Sequence, residues 1–303
     1  MFQAIINTLY RKPRSQWNIW KRFGGYFEYK KMLAGEKEMR QAAKNLVVSK
    51  EKNGLPILQV CFLTGKKFWH QTVFCAYSLQ KVTPNNIHFT FYDDGTLSEI
   101  TTIKTQVPNS TCVFINEIEG KVKAVLPESQ FPYLNHKREV YKHIRKLTDV
   151  HAGSTGWKLI LDSDMLFKNK PTEIIEWLKN PHQPIYMQDI KNAYGFPKPY
   201  MEDLANTPVP DLINVGCIGL KSESIDWQKI EYWAKSLEEK YGNSYYLEQA
   251  LSAMIIGNTT SIVLAKDEYI VYPNLEKSSP KAKLLHYVDL SKAGYFTKEW
   301  RGF

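Results

Sequence analysis

The rhythm of apolar and polar positions changes repeatedly along the chain, and each change predicts an element. Residues Ile57–Thr64 (ILQVCFLT) are a nearly continuous apolar run, as expected of a strand covered on both faces. Helical spacing follows from Phe68 to about Lys81, then a second apolar run at Ile87–Tyr92. Another helix is expected after Asp93-Asp94-Gly95, and a short strand at Thr111–Asn116. Asn135–Leu147 (NHKREVYKHIRKL) reads as one helix and Trp157–Asp162 as a strand. Strand, crossover helix and strand, repeated in this way, predict an α/β protein with a mainly parallel sheet flanked by helices.

The second half is less regular. A strand at Pro184–Gln188 precedes a long loop, Asp189–Asp211, punctuated by Pro197, Pro199, Pro208 and Pro210. Leu212–Leu220 is strand-like, Trp227–Lys240 and Tyr246–Ile256 are helical, and short strands are expected around Ile262, Tyr269 and Leu284–Tyr287. Loops longer than about 15 residues inside a compact domain usually bind or cover a ligand, and here Tyr194, Phe196 and Tyr200 offer stacking faces.

The N-terminal residues have a different pattern, and the chain divides into a helical segment, 1–54, and a larger domain, 55–303. Trp17, Trp20, Phe23, Tyr26 and Phe27 recur among basic residues, with Gly24-Gly25 interrupting the helical repeat. Charge separates the two parts further. The first fifty residues hold eleven Lys/Arg against three Glu, which is +8 of the net +9 and leaves +1 for the other 253. A nucleic-acid groove would spread positive excess over the folded body, so no nucleic-acid partner is expected. Aromatics opposite cations suit an anionic membrane surface; the same aromatics packed on the main domain are the alternative. No apolar run of about 18 residues is present to span a bilayer, and the opening MFQAIINTLYRKPR has the wrong order of apolar and basic residues for a secretory signal. Cys61, Cys75, Cys112 and Cys217 lie far apart with no CxxC, which favours buried thiols in a reducing compartment over a zinc site. A cytoplasmic protein, peripheral at the inner face of a membrane, is the resulting expectation.

Candidate chemistry centres on Lys158–Phe167 (KLILDSDMLF). Two carboxylates, Asp162 and Asp164, follow a buried strand at its carboxyl end, where open parallel sheets bind ligands. Hard oxygen donors at this spacing can converge on Mg²⁺ or Mn²⁺, which bridges the phosphates of a nucleoside diphosphate. Asp-x-Asp alone is near chance frequency; the apolar strand before it and Met165-Leu166-Phe167 after it make it informative.

On these residues the chain resembles GT-A-fold glycosyltransferases, in layout the glycogenin and galactosyltransferase-like enzymes of family 8, over about residues 55–290. The resemblance implies a metal-dependent transfer of sugar from a nucleoside-diphosphate donor, UDP-sugar by preference, to a glycan, lipid or protein acceptor. It makes Asp162-Ser163-Asp164 the DxD motif, with Asp164 the principal metal ligand and Asp162 on metal or ribose. His286, in Lys283-Leu-Leu-His286, fits the family's late His ligand, and imidazole with carboxylates suits Mn²⁺. The family continues His-x-x-Gly-x-x-Lys-Pro-Trp; HYVDLSKAGYFTKEW keeps Lys292 and lacks the first Gly and the Pro. Thr64-Gly65-Lys66 and Asp93-Asp94 resemble the donor-base loops, and an acidic acceptor suits the imide N–H of uracil. Tyr141-x-x-x-Arg145 echoes the helix whose Arg approaches the donor phosphate. Asn214-Val215-Gly216 resembles the Asn-x-Gly segment beside the reacting sugar. Glu248-Gln249 resembles the acidic or amide dipeptide there, so Glu248, Gln249 and Asp189 are the catalytic candidates, as base or as partners of sugar hydroxyls.

Three rivals share the pattern. A haloacid-dehalogenase phosphatase uses DxD but carries Thr or Val where Leu166 stands. A nucleotidyltransferase opens with a Gly-rich basic loop that Thr64-Gly65-Lys66-Lys67 matches only faintly. A membrane-surface or carbohydrate-binding module would retain the scaffold and bind no nucleotide.

Overall fold

The computed structural model describes residues 12–48, 54–98, 100–274 and 279–303. It opens with helices α1 (Lys12–Arg22) and α2 (Tyr26–Ala42). Strands and helices then alternate: β1 (Ile57–Thr64), α3 (Trp69–Val82), β2 (Asn86–Asp93), α4 (Ile100–Gln106), β3 (Ser110–Val113) and α5 (Ile115–Val125). α6 (Pro132–Val140), a 3₁₀ turn (Lys142–Ile144) and α7 (Arg145–His151) lead into β4 (Trp157–Leu161) and β5 (Met165–Phe167). After α8 (Thr172–Lys179) come β6 (Ile185–Gln188), α9 (Lys198–Ala205), β7 (Ile213–Lys221), α10 (Trp227–Tyr241) and α11 (Leu247–Ile256). β8 (Ile262–Leu264), β9 (Tyr269–Val271), β10 (Leu284–His286) and α12 (Lys292–Thr297) follow, with a 3₁₀ turn at Glu299–Gly302 after them.

Seven strands form the main sheet in the order β3-β2-β1-β4-β7-β6-β8. All neighbours run parallel except around β7, which is antiparallel to both β4 and β6. β1 and β2 are in register from Ile57↔Asn86 to Thr64↔Asp93, so their carboxyl ends finish side by side. A second sheet, β5-β10-β9, pairs His286 with Met165. Only Asp162-Ser163-Asp164 separates β4 in the first sheet from β5 in the second.

The continuous apolar runs are explained by burial on both faces. Along β1, Leu58, Val60 and Phe62 enter one core cluster with Phe89, Phe91, Trp69 and Val73, while Cys61 enters the other with Ile118, Leu147 and Ile160. Side chains alternate across a strand, so a strand between two cores needs apolar residues at both parities. All four cysteines are free and buried. No helix among the described residues is long and apolar enough to cross a membrane.

Three local expectations change. The strand beginning at Ser110 stops at Val113, because Phe114 turns extended at a helix start and its N–H donates to Glu117 Oε1. The single helix expected over Asn135–Leu147 is broken at Tyr141 (φ −132°, ψ 88°). Tertiary bonds hold that break: Tyr141 OH donates to Tyr245 O at 2.5 Å and accepts from Glu248 N at 3.3 Å. The Asp189–Asp211 loop contains α9, with Pro197 before its first residue and Pro199 in its first turn, where a missing N–H costs nothing. Tyr194 and Phe196 are core residues, Tyr194 OH donating to Pro210 O at 2.6 Å, so their rings are not free to stack on a ligand.

The N-terminal helices touch the larger domain directly. Met32, Met39 and Ala43 of this segment lie in the same buried cluster as Phe62 and Phe89.

Candidate active site

The Asp162–Asp164 turn is fixed from both sheets. Asp162 N donates to Gly216 O of β7 at 2.7 Å, and Tyr287 N, just past β10, donates to Asp164 O at 2.9 Å. Ser163 points inward and ends a chain of hydroxyls, Ser163 Oγ to Thr72 Oγ1 at 2.8 Å and Thr72 Oγ1 to Thr64 Oγ1 at 2.7 Å. With Ser163 held below, the two flanking carboxylates emerge on the other side of the turn.

β10 brings His286 to them because its register sets His286 opposite Met165. Asp162, Asp164 and His286 each offer an atom within 4.8 Å of the others, a geometry able to hold a metal ion. His286 Nε2 is 3.3 Å from Asp164 Oδ1 and 3.7 Å from Asp162 Oδ2. Its tautomer follows from the neighbours. Asn214 Nδ2 donates to Asp189 Oδ2 at 3.2 Å, and Asn214 Oδ1 accepts from Gly216 N at 3.0 Å, which fixes the amide orientation. The same Oδ1 lies 3.2 Å from His286 Nδ1, so Nδ1 is the donor to Asn214 and Nε2 is the ring nitrogen that faces the carboxylates. Gly216 is required here: a Cβ would run into the His286 ring and the Met165 methyl.

An irregularity of β7 lies beside these groups. Its pairing with β6 jumps from Tyr186↔Ile218 to Met187↔Asn214, leaving Val215-Gly216-Cys217 out of that ladder. The freed Val215 O accepts from Lys146 Nζ at 3.0 Å.

Lys146, which no sequence pattern marks, is a cation that reaches these carboxylates. Buried, it sits 2.9 Å from Asp162 Oδ1 and 3.8 Å from Glu248 Oε2. Its neighbour Arg145 faces away from the carboxylates, donating to Arg138 O at 3.1 Å and pairing with Asp149 at 3.4 Å, beside Glu119. The break at Tyr141 sets this choice, because it rotates α7 relative to the continuous helix that favoured Arg145. Lys292, at the start of α12, is 2.9 Å from Asp164 Oδ2 despite the departures around it.

Electrostatics divides the carboxylates. Burial raises the pKa of Asp164, but Lys292 and His286 outweigh it and hold the group below the ordinary carboxylate range. Burial pushes Glu248 up to about 7, with Lys146 opposing. Burial also works against the charge of Lys146, yet Asp162 and Glu248 raise its pKa and keep it an ammonium. The lysine is thus a buried counter-ion shared by two carboxylates, one of them able to exchange a proton near neutrality.

Asp189 and Gln249 join the same network, Gln249 Nε2 donating to Asp189 Oδ2 at 3.3 Å. The two loops at the ends of β1 and β2 meet each other: Lys66 N donates to Thr96 Oγ1 at 3.1 Å, and Asp94 packs against Gly65. Asp93 spends Oδ1 on the N–H groups of Gly95 and Leu97, and Asp94 spends Oδ1 on Thr96. Thr64 is buried under the turn, and its hydroxyl is linked to Ser163 through Thr72. A cluster of rings, Tyr141 with His143 and Tyr245, stands close by. His143 lies 4.7 Å from Tyr245 and 5.5 Å from Tyr141, and the Tyr245 hydroxyl feels burial first and then Asp162.

The arrangement can be set beside known structures. No family model matches the chain, and no curated protein matches its sequence. Solved structures do. The galactosyltransferase LgtC in complex with donor and acceptor sugar analogues aligns at TM-score 0.53 and 14% identity, over 81% of this chain and 99% of that one. Mouse xyloside xylosyltransferase 1 aligns at TM-score 0.50 and 12% identity, over 76% and 97%. The bifunctional glycosyltransferase WbbM aligns at 0.52 and 12%, over 80% of this chain and 47% of that one. The chain has the GT-A fold. At these identities the likeness concerns architecture, and the chemistry of this GT-A domain has to be argued from its own residues.

Proposed function

We propose that this GT-A domain is a divalent-metal-dependent glycosyltransferase that moves a sugar from a nucleoside-diphosphate donor to a glycan-bearing acceptor. The observation that carries the proposal is His286, held by Asn214 so that its Nε2 faces Asp162 and Asp164. An imidazole lone pair with two hard carboxylates is a donor set for Mn²⁺ in preference to Mg²⁺. When bound, such a cation supplies Lewis-acid stabilisation of the charge on a departing diphosphate.

The chain's own residues do the rest. Lys146 ties down Asp162 Oδ1, which leaves Oδ2 on the side of His286. Lys292 adds a second positive charge beside Asp164 for the phosphate oxygens. Asp189, Asn214 and Gln249 form a linked set of donors and acceptors suited to sugar hydroxyls. Glu248, poised near neutrality, can accept a hydroxyl proton at Oε2 with Lys146 as its counter-charge. The carboxylates of Asp93 and Asp94 at the end of β2 suit the imide N–H of uracil, which makes a UDP-sugar the proposed donor.

A thermal-shift series with UDP-, GDP- and CDP-sugars, with and without Mn²⁺, tests the reading. A metal-dependent stabilisation by a UDP-sugar is expected, and Asp164→Asn should remove it while the variant stays folded. Donor-independent behaviour with every nucleotide sugar, or transfer that survives in Asp164→Asn, would overturn the proposal.

A further inference from the structure

The α1–α2 hairpin has two faces of opposite character. Its inner face belongs to the domain. Phe23 and Tyr29 pack against the core cluster that buries Met32 and Met39. Gly35 lets α2 lie against the backbone of Phe296, where a Cβ would collide with the carbonyl. Arg22 grips both oxygens of Asp289 at 2.7 Å, and Arg301 pairs with Glu38. The hairpin is therefore anchored, and what it displays outward is held in place.

The outward face is an aromatic ridge. Trp17, Trp20, Tyr26 and Phe27 meet edge to face, with centroids 6.4, 4.9 and 5.7 Å apart in succession. Phe27 is 84% exposed and Trp17 64%, far beyond what a large ring shows when it serves the core. A cleft of about 420 Å³ opens beside them, lined by Trp17, Trp20, Lys21, Gly24, Gly25 and Tyr26. Exposed Lys21, Lys30 and Lys31 flank the ridge, and Lys30 Nζ lies 5.5 Å from the Tyr26 ring. Nine Lys/Arg face three Glu over residues 12–48, whereas the chain beyond residue 50 is almost neutral.

We propose that this ridge docks the protein on an anionic bilayer. Indole and phenol rings settle at the headgroup level, and neighbouring ammonium groups add attraction to acidic lipids at about 1 kcal/mol each near the surface. The charge excess coincides with the exposed rings, which is the complementarity an anionic lipid surface requires.

The docked helix also touches two elements that adjoin the candidate site. Arg40 of α2 donates to Lys66 O at 2.9 Å and Lys67 O at 3.2 Å, the loop after β1. α12, against which Gly35 packs, begins with Lys292, the partner of Asp164. Resting on the transferase reading, docking through this helix brings the candidate site to acceptors held at the membrane surface.

Co-sedimentation of the full chain with vesicles tests the docking. The vesicles are phosphatidylcholine alone or with about a third phosphatidylglycerol, at low and high salt. Wild type should bind the anionic vesicles at least about tenfold more tightly than the neutral ones, and salt should weaken it. The pair Trp17→Ser with Phe27→Ser should lose about tenfold, with its melting temperature and Mn²⁺-dependent donor shift unchanged. Lys21→Glu with Lys30→Glu should abolish the preference for anionic lipid. Equal binding to both vesicles, no binding, or unaffected variants overturns the docking; so does a dimer in solution that the aromatic pair dissolves. Vesicle binding without any donor shift would leave the docking standing and sink the transferase reading instead.

Discussion

Replacing Lys146 with Met keeps most of the side-chain volume and removes one buried charge. Lys146 is paired at 2.9 Å with Asp162 Oδ1, bonded at 3.0 Å to Val215 O, and lies 3.8 Å from Glu248. Asp162 keeps partial access to water, so its loss of a partner is screened, and Glu248 is buried and not screened. In the wild type, lifting Glu248 from its ordinary value to about 7 costs the folded state about 3 kcal/mol once the pH exceeds both values. The sign follows from the raised value. The unfolded chain releases this proton first, so stability is fully present below the unfolded pKa and declines as pH rises toward 7.

Lys146 opposes the rise, so Lys146→Met should push Glu248 higher still and extend the decline to more alkaline pH. We expect a destabilisation of about 1–2 kcal/mol at pH near 5.5, where Glu248 is already protonated, and about 3–5 kcal/mol near pH 8. Urea unfolding of metal-free protein at the two pH values measures both, provided the slopes agree. Equal destabilisation at the two pH values would refute the shared counter-ion, and a cost below about 1 kcal/mol at both would refute the buried pair itself.

Three further changes separate roles that the sequence leaves merged. Gly216→Ala should tilt the His286 ring and weaken Mn²⁺ binding by about tenfold or more in calorimetric titration with the circular dichroism spectrum unchanged; undiminished affinity would mean the ring is not held against this glycine. Arg145→Ala should cost about 2–4 kcal/mol of stability by opening the buried network with Asp149 and Glu119, and leave donor affinity of the folded protein within about twofold. A large loss of donor affinity at full stability would restore Arg145 to the site. Gly35→Val should lower the melting temperature and make residues 26–42 sensitive to limited proteolysis, by about 1–3 kcal/mol of overpacking against Phe296; resistance equal to wild type would show that α2 tolerates the added bulk.

Much of the scaffold is written in short-range pattern. The runs at Ile57–Thr64 and Trp157–Leu161 are apolar at both parities over Val60–Phe62 and Leu159–Leu161, where both faces of their strands are buried. Asp162 and Asp164 were legible for a related reason, since a polar turn between two apolar strands stands out in one dimension. His286 was placed by its strand-end position and by resemblance, and the register with Met165 then brought it to the carboxylates.

Only tertiary structure could decide which cation of Arg145-Lys146 enters the site. Neighbouring residues on a helix differ by about a quarter turn, and the phase depends on a break held by Tyr141 bonding to residues about a hundred positions away. The jump in β7 pairing that frees Val215 and Gly216 also has no local signature, because it arises between strands and not within one. The aromatic N-terminus lies between these extremes. Its composition announced an amphipathic segment, but the assignment of Phe23 and Tyr29 to the core, and of Trp17 and Phe27 to solvent, came from the packing of Gly35 against Phe296 and the grip of Arg22 on Asp289. Periodicity reports how a residue relates to its own element; which side that element turns to the rest of the molecule is set by partners distant in sequence.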